Sequence, residues 1–108
     1  MKMVNLTPHP IVFVDENGRA VRNIEPSGIT VRAHRASVKV YDIDGIPINR
    51  VIFGPVTDLP EPEDGTIYIV SSLVAQGISE RTDVYIIDDT VRDETGRIIG
   101  CRALARVW

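Results

Sequence analysis

The stretch ITVRAHRASVKVY, residues 29 to 41, decides the class of fold. Ile29, Val31 and Ala33 place apolar side chains on odd positions, whereas Ala36, Val38 and Val40 place them on even ones. A spacing of two belongs to an extended strand, whose successive side chains point to opposite faces; apolar positions in a helix recur at three and four. A strand cannot move its apolar set from one face to the other without an extra residue, so the change of parity marks an insertion near His34-Arg35. The expectation is strand on both sides of a bulge or a break.

The same short apolar runs recur as IVFV (11 to 14), INRVIF (48 to 53), TIYIV (66 to 70), DVYII (83 to 87) and RIIGCRALARV (97 to 107). They are rich in Ile, Val and Tyr, which suit a pleated surface. Turn signals separate them: DENG (15 to 18), EPSG (25 to 28), DIDG (42 to 45), LPEPEDG (59 to 65) and DETG (93 to 96). Asn17-Gly18 and Thr95-Gly96 supply glycine where hairpins need positive φ, which predicts two hairpins, over residues 10 to 24 and 84 to 107. SSLVAQG (71 to 77) predicts one short helix, with Ser71 or Ser72 as N-cap and Gly77 as its stop. No repeat, linker or low-complexity tract is read. The fold expected is mainly β, a small α+β domain spanning residues 1–108, built as a compact antiparallel sheet or a partly open barrel.

In the last run Ile99, Cys101, Ala103, Ala105 and Val107 alternate as one small apolar face. The other face carries Arg102, Leu104, Arg106 and Trp108, a surface suited to another subunit or to a ligand with flat and charged parts.

Composition narrows the function classes. No apolar run approaches the roughly 20 residues that cross a bilayer, and MKMVNLTPHP lacks the apolar region of a secretory signal, so a cytoplasmic protein without a membrane partner is expected. The single cysteine, Cys101, has no partner for a disulfide and no ligand set for zinc; it reads as a small buried hydrophobe. A net charge of -3 offers no general attraction to nucleic acid. Ten of the twelve cations are Arg, whose planar fork matches paired carboxylate or phosphate oxygens; base composition of the genome would give the same bias.

The chemical candidates are few. In NLTPHP (5 to 10) each of Thr7 and His9 precedes a proline, which restricts both to extended backbone and makes the segment stiff. Asn5, Thr7 and His9 thereby form a pre-set polar edge; alternatively His9 anchors the start of the chain. His34 is the other histidine, and nothing in the pattern pairs the two for acid–base work. Asp42 with Asp44, Asp88 with Asp89, and Asp93 with Glu94 do not follow a calcium-loop spacing and read as turn formers, so no metal is expected. There is no nucleophile elbow, Walker loop or dinucleotide fingerprint, and no cofactor is expected. Phosphate binding draws on SERTD (79 to 83), VRDETGR (91 to 97) and GCR (100 to 102), which place Arg81, Arg92, Arg97 and Arg102 in or beside turns, and on the hydroxyls of Ser71-Ser72.

NLTPH, GIP (45 to 47), YIVSSLVA (68 to 75), the Arg81-x-Asp83 pair and RDETGRIIGCRAL (92 to 104) together resemble a group of small proteins from tailed phages, prophages and bacterial genomes. The resemblance spans almost the whole chain and implies a phage context. Phage proteins of this size include anti-defence sponges, oligomers that sequester cyclic nucleotide or cyclic ADP-ribose signals; the analogy rests on size and source. The function expected is non-enzymatic binding of a small phosphorylated nucleotide. Asn5, Thr7 and His9 would make polar contacts, Arg92 and Arg102 would grip phosphate, and Ser71 and Arg81 would assist, in a homo-oligomer sharing a site between chains. A protein-interaction or virion module, and a small hydrolase using His9 or His34, are the alternatives.

Overall fold

The computed structural model describes residues 1–29, 31–78 and 80–108; Thr30 of ITVRA and Ser79 of SERTD lie outside the described residues. Along the chain run β1 (Lys2–Asn5), β2 (Ile11–Val14), β3 (Ala20–Ile24), β4 (Arg32–Ile43), β5 (Ile46–Thr57), β6 (Thr66–Ile69), α1 (Ser72–Gln76), β7 (Val84–Arg92) and β8 (Ile98–Ala105). Six strands form one sheet in the order β1-β6-β7-β8-β2-β3, and β4 pairs with β5 in a separate ribbon. The fold is mainly β with one short helix, and the sheets are not closed into a barrel. The large sheet is mixed: β1 with β6, β6 with β7, and β2 with β8 run parallel. Parallel neighbours need a crossover of about a dozen residues or more, and α1 occupies the one from β6 to β7.

Alternation along β6 separates two cores. Tyr68 and Val70 join Leu6, Val31, Val74, Ala75 and Val84, so one face of the sheet is covered by α1 and the root of the ribbon. Ile69 joins Ile11 and Cys101 on the other face, with Met3, Phe13, Ile24, Ile87 and Leu104 packed against them. All six strands contribute to that second cluster, which requires a sheet curled on itself. A single isolated bridge, Asn5 to Pro26, ties β1 to the chain just beyond β3.

Both expected hairpins form, β2 with β3 and β7 with β8, and their turns are the same device. In DENGR (15 to 19) Asp15 Oδ1 accepts from Asn17 N and Arg19 N at 2.9 Å each, and Gly18 has φ +79°. In DETGR (93 to 97) Asp93 Oδ1 accepts from Thr95 N at 2.9 Å and Arg97 N at 3.1 Å, and Gly96 has φ +85°. A five-residue repeat, D-E-x-G-R, is therefore present where none is read from the sequence alone; its two copies close hairpins whose strands differ in length. The helix runs as expected: Ser71 Oγ accepts from Val74 N at 3.3 Å, and Gly77 ends it against β5.

A third hairpin, β4 with β5, is the longest and was not expected. Its turn, Asp44-Gly45, has φ +50° and +81°, the pair of positive values that a two-residue type I′ turn requires. The register shifts between Ala33 and Arg35, as the parity of ITVRAHRASVKVY predicts, and strand continues beyond the bulge. The strand begins at Arg32, not at Ile29. In β8 the expected apolar face is broken as well: Cys101 is buried while Ile99 and Val107 are exposed, and Leu104 packs inward with the second core.

Candidate functional site: the arch at residues 5 to 10 and its cavity

The segment between β1 and β2 is an arch built on Asn5. Its side chain is 1 % exposed and donates from Nδ2 to the carbonyls of His9 at 2.7 Å and Ile24 at 3.1 Å. Its Oδ1 accepts from Thr7 N at 2.9 Å and from the Thr7 hydroxyl at 2.7 Å. All four hydrogen-bonding positions of the amide are engaged. The backbone of Asn5 adds to the fastening, since its carbonyl accepts from Ser27 N at 2.9 Å. Asn5 thus fastens β1, the arch and β3 at the seam of the curled sheet; residues 7 to 9 bend instead of running extended, so Asn5 is buried while His9 is exposed, and Asn5, Thr7 and His9 do not share one extended edge.

Beside the arch opens a cavity of about 710 Å³, within the range of roughly 300–1,000 Å³ typical of small-molecule sites. Its polar lining is Thr7, His9, Ser71, Ser72 and Thr90, and its apolar wall includes Ile11, Ile86, Ile87 and Ile98. The position follows from topology. β1 and β6 are parallel neighbours, so the chain leaves both at the same end; the arch follows β1 and Ser71-Ser72 follows β6. Open sheets with parallel strands place ligands beyond such carboxyl ends.

Three of the seven expected residues, Thr7, His9 and Ser71, meet at this cavity, and the arginines do not line it. Arg81 clamps Asp83 through Nε at 2.8 Å and Nη2 at 2.9 Å, and donates again to the Pro60 carbonyl at 3.0 Å. This fork pins the loop before β6, beside the ring of Tyr68. The hydrogen bond from Arg81 holds the Asp83 carboxyl below its ordinary range, against the opposing effect of partial burial, and the same bond raises the guanidinium. Arg102 lies 4.0 Å from Asp89 on the neighbouring strand. Arg92 donates to the Gly96 carbonyl of its own turn at 2.7 Å, and its register partner is the lining residue Ile98.

No family model matches the chain, and no curated protein or solved structure is significantly similar to it.

Ser72 joins Ser71 at the cavity, as its hydroxyl was expected to, whereas Thr90 and the isoleucines were not singled out by the sequence. Thr90 sits in a strand where threonine is commonplace, and Ile98 reads there as half of an apolar pair. His34 stands in β4, away from the cavity. Among the described residues neither ring nitrogen of His9 has a hydrogen-bond partner, so nothing orients the imidazole for proton transfer. Among the described residues no group of three or more His, Cys, Asp or Glu side chains is placed to hold a metal ion, and no helix is long and apolar enough to cross a membrane. The interaction face expected at the chain end is divided. Trp108 packs edge-on against Tyr85 with ring centres 5.2 Å apart, Arg106 lies over Trp108, and Leu104 turns inward.

Proposed function

We propose that the protein binds, without turning over, a small nucleotide-like molecule in the cavity beside the arch. The observation that carries this reading is the cavity itself, lined by isoleucine side chains and by a set of hydroxyls and one imidazole. A base would lie against Ile87 and Ile98, and a ribose would meet Thr7, Ser71, Ser72 and Thr90. Asn5 shapes the site and does not touch the ligand. Phosphate is met by Arg92 once its guanidinium leaves the Gly96 carbonyl, with His9 beside it; Arg81 is committed to Asp83, and Arg102 is assigned no contact. In the phage context that the sequence resembles, such binding would sequester a cyclic nucleotide or cyclic ADP-ribose signal in the host cytoplasm.

The test is thermal unfolding of the purified chain with cyclic dinucleotides, cyclic ADP-ribose isomers and unphosphorylated nucleosides. A cognate ligand at a hundred times its Kd stabilises the folded state by about 2.7 kcal/mol, a rise of roughly 10 °C for a domain of this size. Silence across the panel would remove the reading.

A further inference from the structure

We infer that the β4–β5 ribbon is an arm by which this chain docks onto the body of a second copy of itself, independently of what the cavity holds. The register defines two unlike faces. Residues opposite one another in an antiparallel pair share a face, so Ala36 with Ile52, Val38 with Arg50, Tyr41 with Ile48, and Ile43 with Ile46 stand together. Arg35 with Phe53, Ser37 with Val51, Lys39 with Asn49, and Asp42 with Pro47 stand on the other side, where Lys39 and Asp42 form an ion pair at 3.1 Å. The second register shift, between Lys39 and Tyr41, keeps this division. It absorbs Val40 as an extra residue, so Tyr41 and Ile43 continue the face begun by Ala36 and Val38.

The first face is apolar except for Arg50, yet among the described residues nothing packs over it. Tyr41 is 57 % exposed, Ile43 51 % and Ile46 64 %. An isolated two-stranded ribbon is marginal in water, and an uncovered apolar strip of this kind marks an interface. The chain is also extended beyond an ordinary domain, with a radius of gyration of 16.7 Å where about 13 Å is usual for this length.

Charge and area select a second copy, and select its body over its arm. Arg50 is the one charged residue on the apolar face, so the face carries a positive charge, while the chain outside residues 32 to 57 carries eight cations and thirteen acids, a net -5. Two arms face to face would bring like charges together, whereas an arm laid on the partner's body pairs opposite ones. A two-fold axis makes the contact reciprocal. The free part of each arm presents about 30 Å by 10 Å; two reciprocal contacts bury roughly 1,200 Å² in all, at the lower bound for specific complexes.

The experiment is sedimentation velocity on the wild-type chain and on the variants Tyr41→Glu, Ile46→Glu and Asn49→Glu, with circular dichroism as the check on folding. The expected result is a dimer for wild type and for Asn49→Glu on the polar face, and monomers with unchanged spectra for the other two. A second measurement does not depend on charge variants. Val38→Cys, labelled with a benzophenone maleimide, is mixed with isotopically labelled chain and photolysed; Cys101 is buried and leaves the new thiol as the reactive one. Cross-links from Val38→Cys to residues outside 32–57 of the other copy support the inference. A monomeric wild type, a dimer that tolerates both charged residues on the apolar face, or cross-links confined to the partner's arm would overturn it.

Discussion

Asn5 and His9 lie four residues apart in one arch and do opposite work. Asn5 is buried and joins three segments through both ends of its amide, so its replacement by alanine takes a donor from the Ile24 carbonyl, leaves that of His9 only the Thr7 hydroxyl at 3.0 Å, and removes the acceptor of Thr7 N. Asn5→Ala should lower stability by about 2–4 kcal/mol, the cost of several lost hydrogen bonds with buried partners. His9→Ala should change it by less than about 0.5 kcal/mol, as for exposed side chains generally. Urea denaturation of the two variants checks the contrast. The Arg81–Asp83 pair makes a prediction with a pH sign. A carboxyl whose pKa falls on folding stabilises the fold fully above its unfolded value, near 3.8, and loses that contribution as pH falls through the folded value. Asp83→Asn should therefore cost about 1–2 kcal/mol at neutral pH, and the gap in urea midpoints from wild type should narrow as the pH falls below 3.8. A gap that stays constant in acid would mean that the ion pair is not what Asp83 contributes.

Among the elements, α1 and the ribbon are coupled at a glycine. A Cβ on Gly77 would lie 2.8 Å from Val56 Cγ2, so the end of the helix fits the ribbon's root only without a side chain. Gly77→Ala should destabilise by about 1–3 kcal/mol through overpacking. In the double variant with Val56→Ala the two costs should fall well short of additive, since removing the valine methyls removes the clash. Additive costs measured in that cycle would show that the two residues do not meet. The elements were legible to unequal degrees, for physical reasons. The hairpins closed by DENGR and DETGR, the helix from Ser71 to Gly77 and the bulge near His34 each have a local cause, a cap, a turn glycine or a change of parity. The pairing of β4 with β5 was hidden by Val40, Pro47, Gly54 and Pro55, which interrupt the alternation. The parallel pairing of β1 with β6 joins residues about 64 apart and leaves no local signal.

At the scale of the molecule, curling the sheet creates the site. It brings the arch after β1, the turn after β6 and the middle of β7 around one cavity. The polar half of that site was legible in part, because prolines at positions 8 and 10 announce a stiff, presented segment. The partners of the arginines were not legible, because an arginine's use depends on its nearest acceptor: Asp83 for Arg81, a turn carbonyl for Arg92. The apolar wall was invisible because an isoleucine lining a cavity and one filling a core are alike in sequence. The central claim is that this cavity receives the ligand, and Thr90, exposed on its wall, is where to close it. The deciding measurement is calorimetric titration, with the nucleotide that most raises the melting temperature, of the wild-type chain and of Thr90→Trp. The account requires saturable binding near one ligand per chain for wild type and a loss of at least tenfold in affinity for Thr90→Trp, with its fold intact by circular dichroism. Equal affinity for the two proteins would contradict it.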